Sequence, residues 1–170
     1  MPTYWLKTER LGFSRWTENA LNLARRLWGD PAVSRYISTG PFTERQIAER
    51  LATEVRYGRE QAMQYWPIFR QHDGAFVGCC GLKPHQPGSA ELGAHLLPEF
   101  WHQGYASEAS LAVIAYAFRE LGLTQLVAGH HPQNKASERT LTRLGFVRVG
   151  EEYYPPTGLM HPSYVLRRQG

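Results

Sequence analysis

The sequence predicts one mixed α/β domain, and three observations lead to that fold class. The chain has 170 residues, which is close to the usual size of a single globular domain. Its hydrophobic content of 42% and charged content of 20% suffice for a buried core and exclude a disordered chain. Helical and extended hydrophobic patterns alternate along it, without a fixed-period repeat or a linker rich in Pro, Gly and Ser. We therefore expect a single domain over residues 1–170.

The chain begins with a predicted strand and a predicted helix. Residues 9–15 have the pattern of a short strand, and Thr17 follows as the expected N-cap of a helix. The dipeptide Asp30-Pro31 should end this helix. Its apolar face consists of Leu21, Ala24, Leu27 and Trp28.

A capping box marks the start of the second helix. Thr43 and Gln46 have the Thr-x-x-Gln spacing at which each side chain bonds the other residue's backbone N–H. An apolar stripe at four-residue spacing follows, and the helix should end near Gly58. The stripe is Ile47, Leu51 and Val55.

The middle of the chain predicts three antiparallel strands. Residues 65–70 and 76–82 are aromatic and β-branched runs that flank His72-Asp73-Gly74, which is a typical hairpin turn. Residues 89–97 continue the pattern and end at Pro98. We expect these strands to form part of one sheet.

The last third of the chain predicts two helices and three strands. A nearly all-apolar helix comes first, with Gly122 as its C-cap, and its expected inner face is Leu111, Ile114, Ala115, Phe118 and Leu121. The remaining elements are a strand at 125–131, a helix at 135–144 closed by Gly145, and strands at 146–153 and 163–168.

Composition restricts the class of protein. Cys79 and Cys80 are adjacent, so no disulfide framework exists, and no apolar run suits a signal peptide or a membrane span. We expect a cytoplasmic protein with no membrane partner. The net charge of +4 favours an anionic ligand, but the basic residues never form the run typical of a nucleic-acid arm. Solvated helix faces explain most of them.

The segment from His95 to Ala109 predicts an anion site. Gly104 and Ala106 lie where a helix begins, so the backbone can approach a ligand while the first-turn N–H groups point outward. Ser107 adds a hydroxyl donor, and a diphosphate would fit. A glycine that only allows a tight helix entry is an equally good reading of the spacing. Neither a P-loop nor a Gly-x-Gly-x-x-Gly dinucleotide motif occurs.

At these residues the sequence resembles the GCN5-related N-acetyltransferases (GNAT), in particular the branch that acetylates the N-terminal amines of ribosomal proteins. The resemblance covers almost the whole chain. Its carriers are Thr8-Glu9-Arg10-Leu11, Ile68 through Gly78 to Gly81-Leu82, Trp101-His-Gln-Gly-Tyr-Ala-Ser-Glu-Ala109, Asn134-x-x-Ser137, Leu144-Gly145-Phe146 and Tyr164-Val-Leu-Arg167. The family's diphosphate signature is Arg/Gln-x-x-Gly-x-Gly/Ala, and its first position is Trp101 here. The backbone amides that follow matter more than that side chain.

The resemblance implies the GNAT fold, a mixed, mostly antiparallel sheet of about six or seven strands flanked by about four helices. Splayed strands ending near Leu97 and His131 would form a cleft for acetyl-CoA as cosubstrate. Pantetheine would pair with the main chain of His95, Leu96 and Leu97. The diphosphate would lie on the turn made by Gln103, Gly104, Tyr105, Ala106 and Ser107. On the next helix, Lys135, Arg139 and Arg143 could attract CoA, although a solvated face explains them more simply.

The resemblance also implies candidates for proton transfer. The tyrosine that many relatives use as acid is replaced by Leu141, so Ser137 is the candidate for assisting the thiol. Asn134 would orient the pantetheine, or would simply cap the helix. Glu91 is the candidate base, acting through a water, and His130 or His131 are alternatives because strand alternation turns one of them to the cleft.

Other chemistry has little support in the sequence. No histidine spacing predicts a metal site, and the paired cysteines are most simply small core residues. The acceptor side should come from the first two helices, the 29–42 loop and residues 153–161. We expect an acyl-CoA N-acyltransferase acting on a primary amine, either a protein N-terminus or a small molecule, as a monomer or homodimer. A non-catalytic acyl-CoA-binding domain is the alternative, and nucleic-acid binding ranks third.

Overall fold

One sheet holds the strands of the computed structural model, which describes residues 2–170. The strands are β1 (Leu6–Lys7), β2 (Leu11–Phe13), β3 (Tyr65–Arg70), β4 (Phe76–Pro84), β5 (Ser89–Leu96), β6 (Gln125–Gly129), β7 (Val147–Tyr154) and β8 (Leu159–Arg167). The helices are α1 (Leu21–Trp28), α2 (Pro31–Ser34), α3 (Glu44–Gln61), α4 (Tyr105–Arg119) and α5 (Lys135–Arg143), with a short 3-10 turn at Pro98–Phe100. The strand order is β1-β2-β3-β4-β5-β6-β8-β7.

All neighbouring strands are antiparallel except β5 and β6, and this exception creates an opening in the sheet. The parallel register runs only from Ser89 opposite Gln125 to Glu91 opposite Val127. Beyond that point β5 continues to Leu96 while β6 ends at Gly129, so the two strands separate. The predicted mixed α/β class with a mostly antiparallel, splayed sheet is confirmed.

Two short elements raise the element count above the prediction. The first is β1, a two-residue strand paired with β2. The second is α2. Helix α1 ends at Trp28, just before Asp30-Pro31 as predicted, but Asp30 then caps a new helix. The Asp30 Oδ1 accepts the Ala32 N–H at 2.9 Å, and Pro31 takes the first helical position. The Asp-Pro dipeptide is therefore a helix start, since proline lacks only an N–H that the first turn does not use.

Helix boundaries near glycine and threonine differ from the prediction in two places. Thr17 is not the N-cap of α1, because the helix begins at Leu21 after Ala20 and has no side-chain cap. Helix α3 runs past Gly58 to Gln61 and ends at Ala62, whose φ of 57° is left-handed. Gly58 instead allows close packing, since a Cβ there would lie 2.6 Å from Gln64 Nε2. The capping box at the start of α3 is confirmed with both of its hydrogen bonds.

The buried face of α4 differs in part from the prediction. Ile114, Phe118 and Leu121 pack against the core as expected, but they are only partly buried, and Leu111 is 58% exposed. The buried positions of the helix are Tyr105, Ala109, Ser110, Val113 and Ala117. Small side chains let this helix lie close to β4 and β5. Side-chain size, together with hydrophobicity, thus decides which face of α4 meets the sheet.

The core fills both faces of the sheet, and the cysteine pair shows the alternation. Cys79 faces the α1 and α3 side, near His95, while Cys80 faces α4 with its Sγ 3.7 Å from Ser110 Oγ. Both are fully buried, as predicted for core residues. Burial raises the pKa of the Cys80 thiol to about 12, and it raises the pKa of Cys79 as well. Within residues 2–170, no helix is long and apolar enough to cross a membrane.

Candidate active site

A cleft of about 900 Å³ opens where β5 and β6 separate. Its walls come from β5, the start of α4, α5 and the β7–β8 hairpin, with α2 and α3 at one end. Most of the residues predicted for the site lie on these walls: Glu91, His95, Leu96, Gly104, Tyr105, Ala106, Ser107, Asn134 and Ser137. Leu97 and Gln103 are not among the lining residues.

The turn before α4 has the geometry of an anion cradle. Gly104 has a φ of 80°, which L side chains rarely adopt, and α4 has no side-chain cap. The backbone N–H groups of Tyr105, Ala106 and Ser107 are not bonded to any of residues 2–170. Three unbonded amides at the positive end of a helix dipole favour an anion at this position.

Gln103 stabilises this turn and does not line the cleft. Its side-chain amide donates to the Glu99 carbonyl at 2.9 Å, and its own carbonyl accepts from Arg10 Nη1 at 3.0 Å. Both contacts hold the loop, and neither directs the side chain into the cleft.

A brace from the N-terminal part of the chain holds the start of α4. Glu108 accepts from Arg10 Nε at 2.7 Å, from the Arg10 backbone N–H at 2.9 Å and from Thr8 Oγ1 at 2.6 Å. The Arg10 guanidinium also lies 4.3 Å from the centre of the Tyr105 ring. Burial alone would raise the pKa of Glu108, but the hydrogen bonds from Thr8 and Arg10 outweigh it and hold that pKa below its usual range. Thr8, Arg10 and Glu108 all belong to the motifs that carry the family resemblance, but no local pattern connects them.

The end of β5 offers only some of its backbone to the cleft. The Leu97 N–H already donates to the Val77 carbonyl at 2.9 Å, so Leu97 cannot donate to pantetheine. Because backbone groups alternate in direction along an antiparallel pair, those of His95 also turn to β4, while those of Ala94 and Leu96 turn to the opening. Trp101 Nε1 donates to the Leu96 carbonyl at 2.8 Å and so anchors the loop to the strand.

Asn134 and Ser137 lie at the start of α5. Asn134 Oδ1 accepts the Ser137 N–H at 3.2 Å, which is the N-cap geometry. The structure therefore supports the capping role of Asn134, and its position on the cleft wall leaves a second role open to experiment. Leu141, where a tyrosine would serve as acid, is buried.

Two tyrosines, Tyr65 and Tyr154, lie near Glu91, and the sequence analysis did not connect them with it. Tyr65 Oη is 3.5 Å from Glu91 Oε1, and a Cβ on Gly93 would collide with the Tyr65 hydroxyl. Burial raises the pKa of Tyr154, Glu91 raises it further and Arg50 opposes them. Glu91 thus faces a cluster of polar groups drawn from β3, α3 and β7, which no local sequence pattern connects.

His95 is a neutral group in the structure. Its Nδ1 accepts the Trp28 indole N–H at 3.2 Å, and its ring meets Tyr65 edge-on at 5.7 Å between centroids. Burial, reinforced by Arg50, lowers the pKa of His95 to about 3. A histidine with so low a pKa is a weak base at neutral pH.

His130 and His131 both line the cleft, and three of their four ring nitrogens have hydrogen-bond partners. His130 donates from Nδ1 to the His131 carbonyl at 2.7 Å, and its Nε2 lies 3.0 Å from the Tyr164 hydroxyl. His131 Nδ1 accepts the Gln133 N–H at 3.1 Å, and burial lowers the pKa of His131. Both are weaker candidates for the base than Glu91, whose carboxylate faces the cleft.

The basic residues of α5 follow the cleft wall. Lys135, Arg139 and Arg143 all line it, which favours the reading in which they attract an anion over that of a plain solvated face. Lys135 pairs with Glu138 at 3.3 Å. Residues 2–170 contain no group of three or more His, Cys, Asp and Glu side chains placed to hold a metal ion.

Comparison with known proteins places this architecture in a family. The model of the Acetyltransferase (GNAT) domain matches residues 10–147. The chain belongs to the GNAT acetyltransferase family. This GNAT enzyme is an N-acetyltransferase, in line with the names of its relatives.

Relatives and solved structures of this GNAT enzyme span most of its length. It is 29% identical over 148 residues to the uncharacterized N-acetyltransferase p20 of Bacillus licheniformis, covering 85% of this chain and 83% of that protein. It is 31% identical over 151 residues to the FsC-acetyl coenzyme A-N(2)-transacetylase of Aspergillus fumigatus, covering 76% and 61%.

Solved structures share the fold at lower identity. A GNAT acetyltransferase from Bacillus anthracis aligns with a TM-score of 0.80 at 23% identity, over 95% of this chain and 97% of the other. RimL, a ribosomal L7/L12 alpha-N-protein acetyltransferase, aligns with a TM-score of 0.82 at 16% identity, over 99% and 96%. At these identities the likeness concerns the fold.

Proposed function

We propose that this enzyme transfers an acetyl group from acetyl-CoA to a primary amine, by direct attack of the amine in a ternary complex. The observation that carries the proposal is the opening between β5 and β6, where backbone groups of Ala94 and Leu96 face the same space as the unbonded first-turn amides of α4. An extended pantetheine arm can pair with a strand, and a diphosphate can accept from helix amides. Acetyl coenzyme A occurs in the name of one relative, and a protein α-amino acceptor in that of RimL.

The donor side is assigned to the residues that hold this opening. The Gly104–Ser107 amides would receive the diphosphate, with Gln103 supporting the turn through Arg10. Leu96 would pair with pantetheine, while His95 and Leu97 keep the strand in place on β4. Asn134 would fix the start of α5 beside the thiol.

We assign deprotonation of the acceptor amine to Glu91, and proton donation to the departing thiolate to Ser137. Glu91 would take a proton from the ammonium through a water, which frees the nitrogen lone pair to attack the thioester carbonyl. As the C–N bond forms and the C–S bond breaks, the nitrogen would lose its second proton, and the Ser137 hydroxyl would donate its own proton to the departing thiolate while taking up this one, so that CoA leaves as a thiol and the serine ends neutral. A covalent acetyl-cysteine has no support, because Cys79 and Cys80 are buried thiols with raised pKa values.

Thermal unfolding and turnover together test the proposal. Saturating acetyl-CoA should raise the melting temperature, whereas NAD and ATP should not, because neither carries a pantetheine arm. Thiol release should then occur with at least one member of a panel of small amines and peptide N-termini. No shift with acetyl-CoA would contradict the donor assignment, and a shift without turnover on any amine would favour the non-catalytic binding domain.

Two glycines on the same helix provide a matched pair of variants. Gly104 and Gly122 both have left-handed φ angles, 80° and 66°, at opposite ends of α4, so alanine strains the backbone at either position. Only Gly104 lines the cleft. Gly104→Ala should weaken acetyl-CoA binding, while Gly122→Ala should lower the melting temperature without changing the affinity. Equal affinities of the two variants for acetyl-CoA would mean that Gly104 only allows the chain to enter the helix and has no role in ligand binding.

A further inference from the structure

Arg50 occupies the acceptor end of the cleft without a role in the chemistry above. It lies on α3, and its Nε donates to Glu54 Oε2 at 3.0 Å. The other oxygen of Glu54 accepts the Tyr65 backbone N–H at 2.9 Å, and Glu54 is almost fully buried. Each oxygen of Glu54 therefore has one fixed partner, and Glu54 engages Arg50 on the Nε side alone.

The guanidinium packs against two aromatic rings. Its carbon lies 5.0 Å from the centre of the Trp28 ring and 5.2 Å from that of Tyr65. Its terminal nitrogens have no acceptor within residues 2–170, yet they are not sealed from solvent, because Arg50 lines the cleft and its side chain keeps 30% of its surface. The free edge of a fixed guanidinium matches a carboxylate, which it can bind through two parallel hydrogen bonds.

This cation lies close to the carboxylate proposed to receive the amine. Tyr65 connects them, since its ring contacts the Arg50 guanidinium while its hydroxyl is 3.5 Å from Glu91 Oε1. Both charges act on the pKa of Tyr154, which Glu91 raises and Arg50 lowers. Both groups thus contact the same side chain and line the same cleft, so a molecule with an ammonium and a carboxylate a few bonds apart could lie between them.

We propose that the acceptor carries a free carboxylate near its amine, as an amino acid does, and that Arg50 selects it. The inference rests on the proposed function, which supplies the amine site at Glu91. Val33, Tyr36 and Ile37 line the same end of the cleft and would contact an apolar part of the acceptor. A polyamine or an aminoglycoside has no anionic group to pair with the free edge of Arg50.

Matched acceptors test the carboxylate requirement. Each set consists of a free amino acid, its carboxamide and the corresponding decarboxylated amine, built on phenylalanine, methionine and serine. The wild-type enzyme should prefer the free acid by about 10- to 100-fold in kcat/KM, the range expected for hydrogen bonds to a charged group. A preference for the carboxamide would indicate a peptide N-terminus and would overturn the inference.

Variants of α3 assign the preference to Arg50. Arg50→Gln should lower kcat/KM for the free acid and leave the decarboxylated amine little changed, while Arg50→Lys should retain part of the preference. Arg45→Gln is the control, because Arg45 and Glu49 form the same i,i+4 pair at 3.0 Å on the exposed face of the same helix. An equal loss on all three acceptors would mean that Arg50 only supports Glu54 and would overturn the inference.

A double variant and a ratio of rates separate an effect on acceptor preference from an effect on folding. Arg50→Gln combined with Glu54→Gln avoids leaving a buried carboxylate unpaired, and it should show the same loss of preference. The preference is a ratio measured within one protein sample, so a reduced folded fraction cancels. Absence of turnover on every acceptor would contradict the proposed function itself, whereas turnover without a preference would contradict only the inference about Arg50.

Discussion

Ser137 is the residue whose proposed role depends most on position. It lies in the first turn of α5, its backbone N–H is used by the Asn134 cap, and its side chain belongs to the cleft wall. A hydroxyl here has no other acceptor or donor within residues 2–170, so it is available to a ligand. Removing it should affect the step in which charge develops on sulfur.

Ser137→Ala should therefore lower kcat with little change in the affinity for acetyl-CoA. A positioned proton donor contributes about 10²- to 10⁴-fold, and a thiolate leaves readily, so we expect a loss of about 100-fold or less. Ser137→Thr should restore part of the activity, and Thr142→Ala, which removes an exposed hydroxyl bonded to the Glu138 carbonyl, serves as the control. Full turnover in Ser137→Ala would transfer the role to water or to a tyrosine such as Tyr154.

His95 makes the stability of the fold depend on pH. Its pKa is about 3 in the folded protein because of burial, and about 6.5 in the unfolded chain. Between these values the unfolded chain binds a proton that the folded protein does not, so the free energy of unfolding falls as the pH decreases from 6.5 toward 3. The loss is at most about 1.4 kcal/mol per pH unit for one group.

Denaturant unfolding between pH 4 and pH 7 measures this contribution. His95→Gln should flatten the pH dependence, since glutamine keeps an acceptor near Trp28 and does not titrate. His72→Gln, which changes an exposed histidine in the hairpin turn, should leave the profile unchanged. A His95→Gln profile parallel to that of the wild type would refute the assignment.

At the scale of elements, the start of α4 is stabilised from a distant part of the chain. Glu108 is on the first turn of the helix, and its partners Thr8 and Arg10 come about 100 positions earlier. Local signals in the sequence therefore predicted α4, Gly104 at its start and the capping box of α3. The brace instead depends on a tertiary contact that no spacing in the sequence reveals. The same limit explains why the prediction for α4 included the exposed Leu111 and omitted Ala109 and Ala117, because the pattern shows hydrophobic residues but not which positions lie closest to the sheet.

Glu108→Gln tests whether the brace positions the anion site. It removes the charge that holds Arg10, so we expect the free energy of unfolding to fall by about 1–2 kcal/mol and acetyl-CoA to bind more weakly. Glu151→Gln is the matched control, because Glu151 pairs with Arg148 at 3.0 Å on the exposed strand β7. Its effect on stability should stay within about 0.5 kcal/mol. Unchanged affinity in Glu108→Gln would show that the turn keeps its shape without the brace.

At the scale of the whole molecule, the sheet is one structure interrupted at one place. Seven strand pairings connect its eight strands. The interruption lies between β5 and β6, which stop pairing after Glu91. Alternating hydrophobicity predicted most strands, and family resemblance predicted the splay. What neither could supply is the set of side chains that meet at its acceptor end, since Arg50, Tyr65, Glu91 and Tyr154 come from four separate elements.

The interruption leaves a local signature that hydrogen exchange can detect. The amides of Ala94 and Leu96 turn toward the opening, where β6 no longer pairs with β5, so they should exchange faster than those of β4. Acetyl-CoA should slow exchange in peptides covering residues 92–97 and 103–110, because the pantetheine arm and the diphosphate would accept or shield these N–H groups. A peptide covering residues 55–61 at the end of α3, none of which lines the cleft, is the internal control, and it should change little at short labelling times. Equal slowing in all three peptides would mean that acetyl-CoA only raises global stability, and the pairing of pantetheine with β5 would then have to be abandoned.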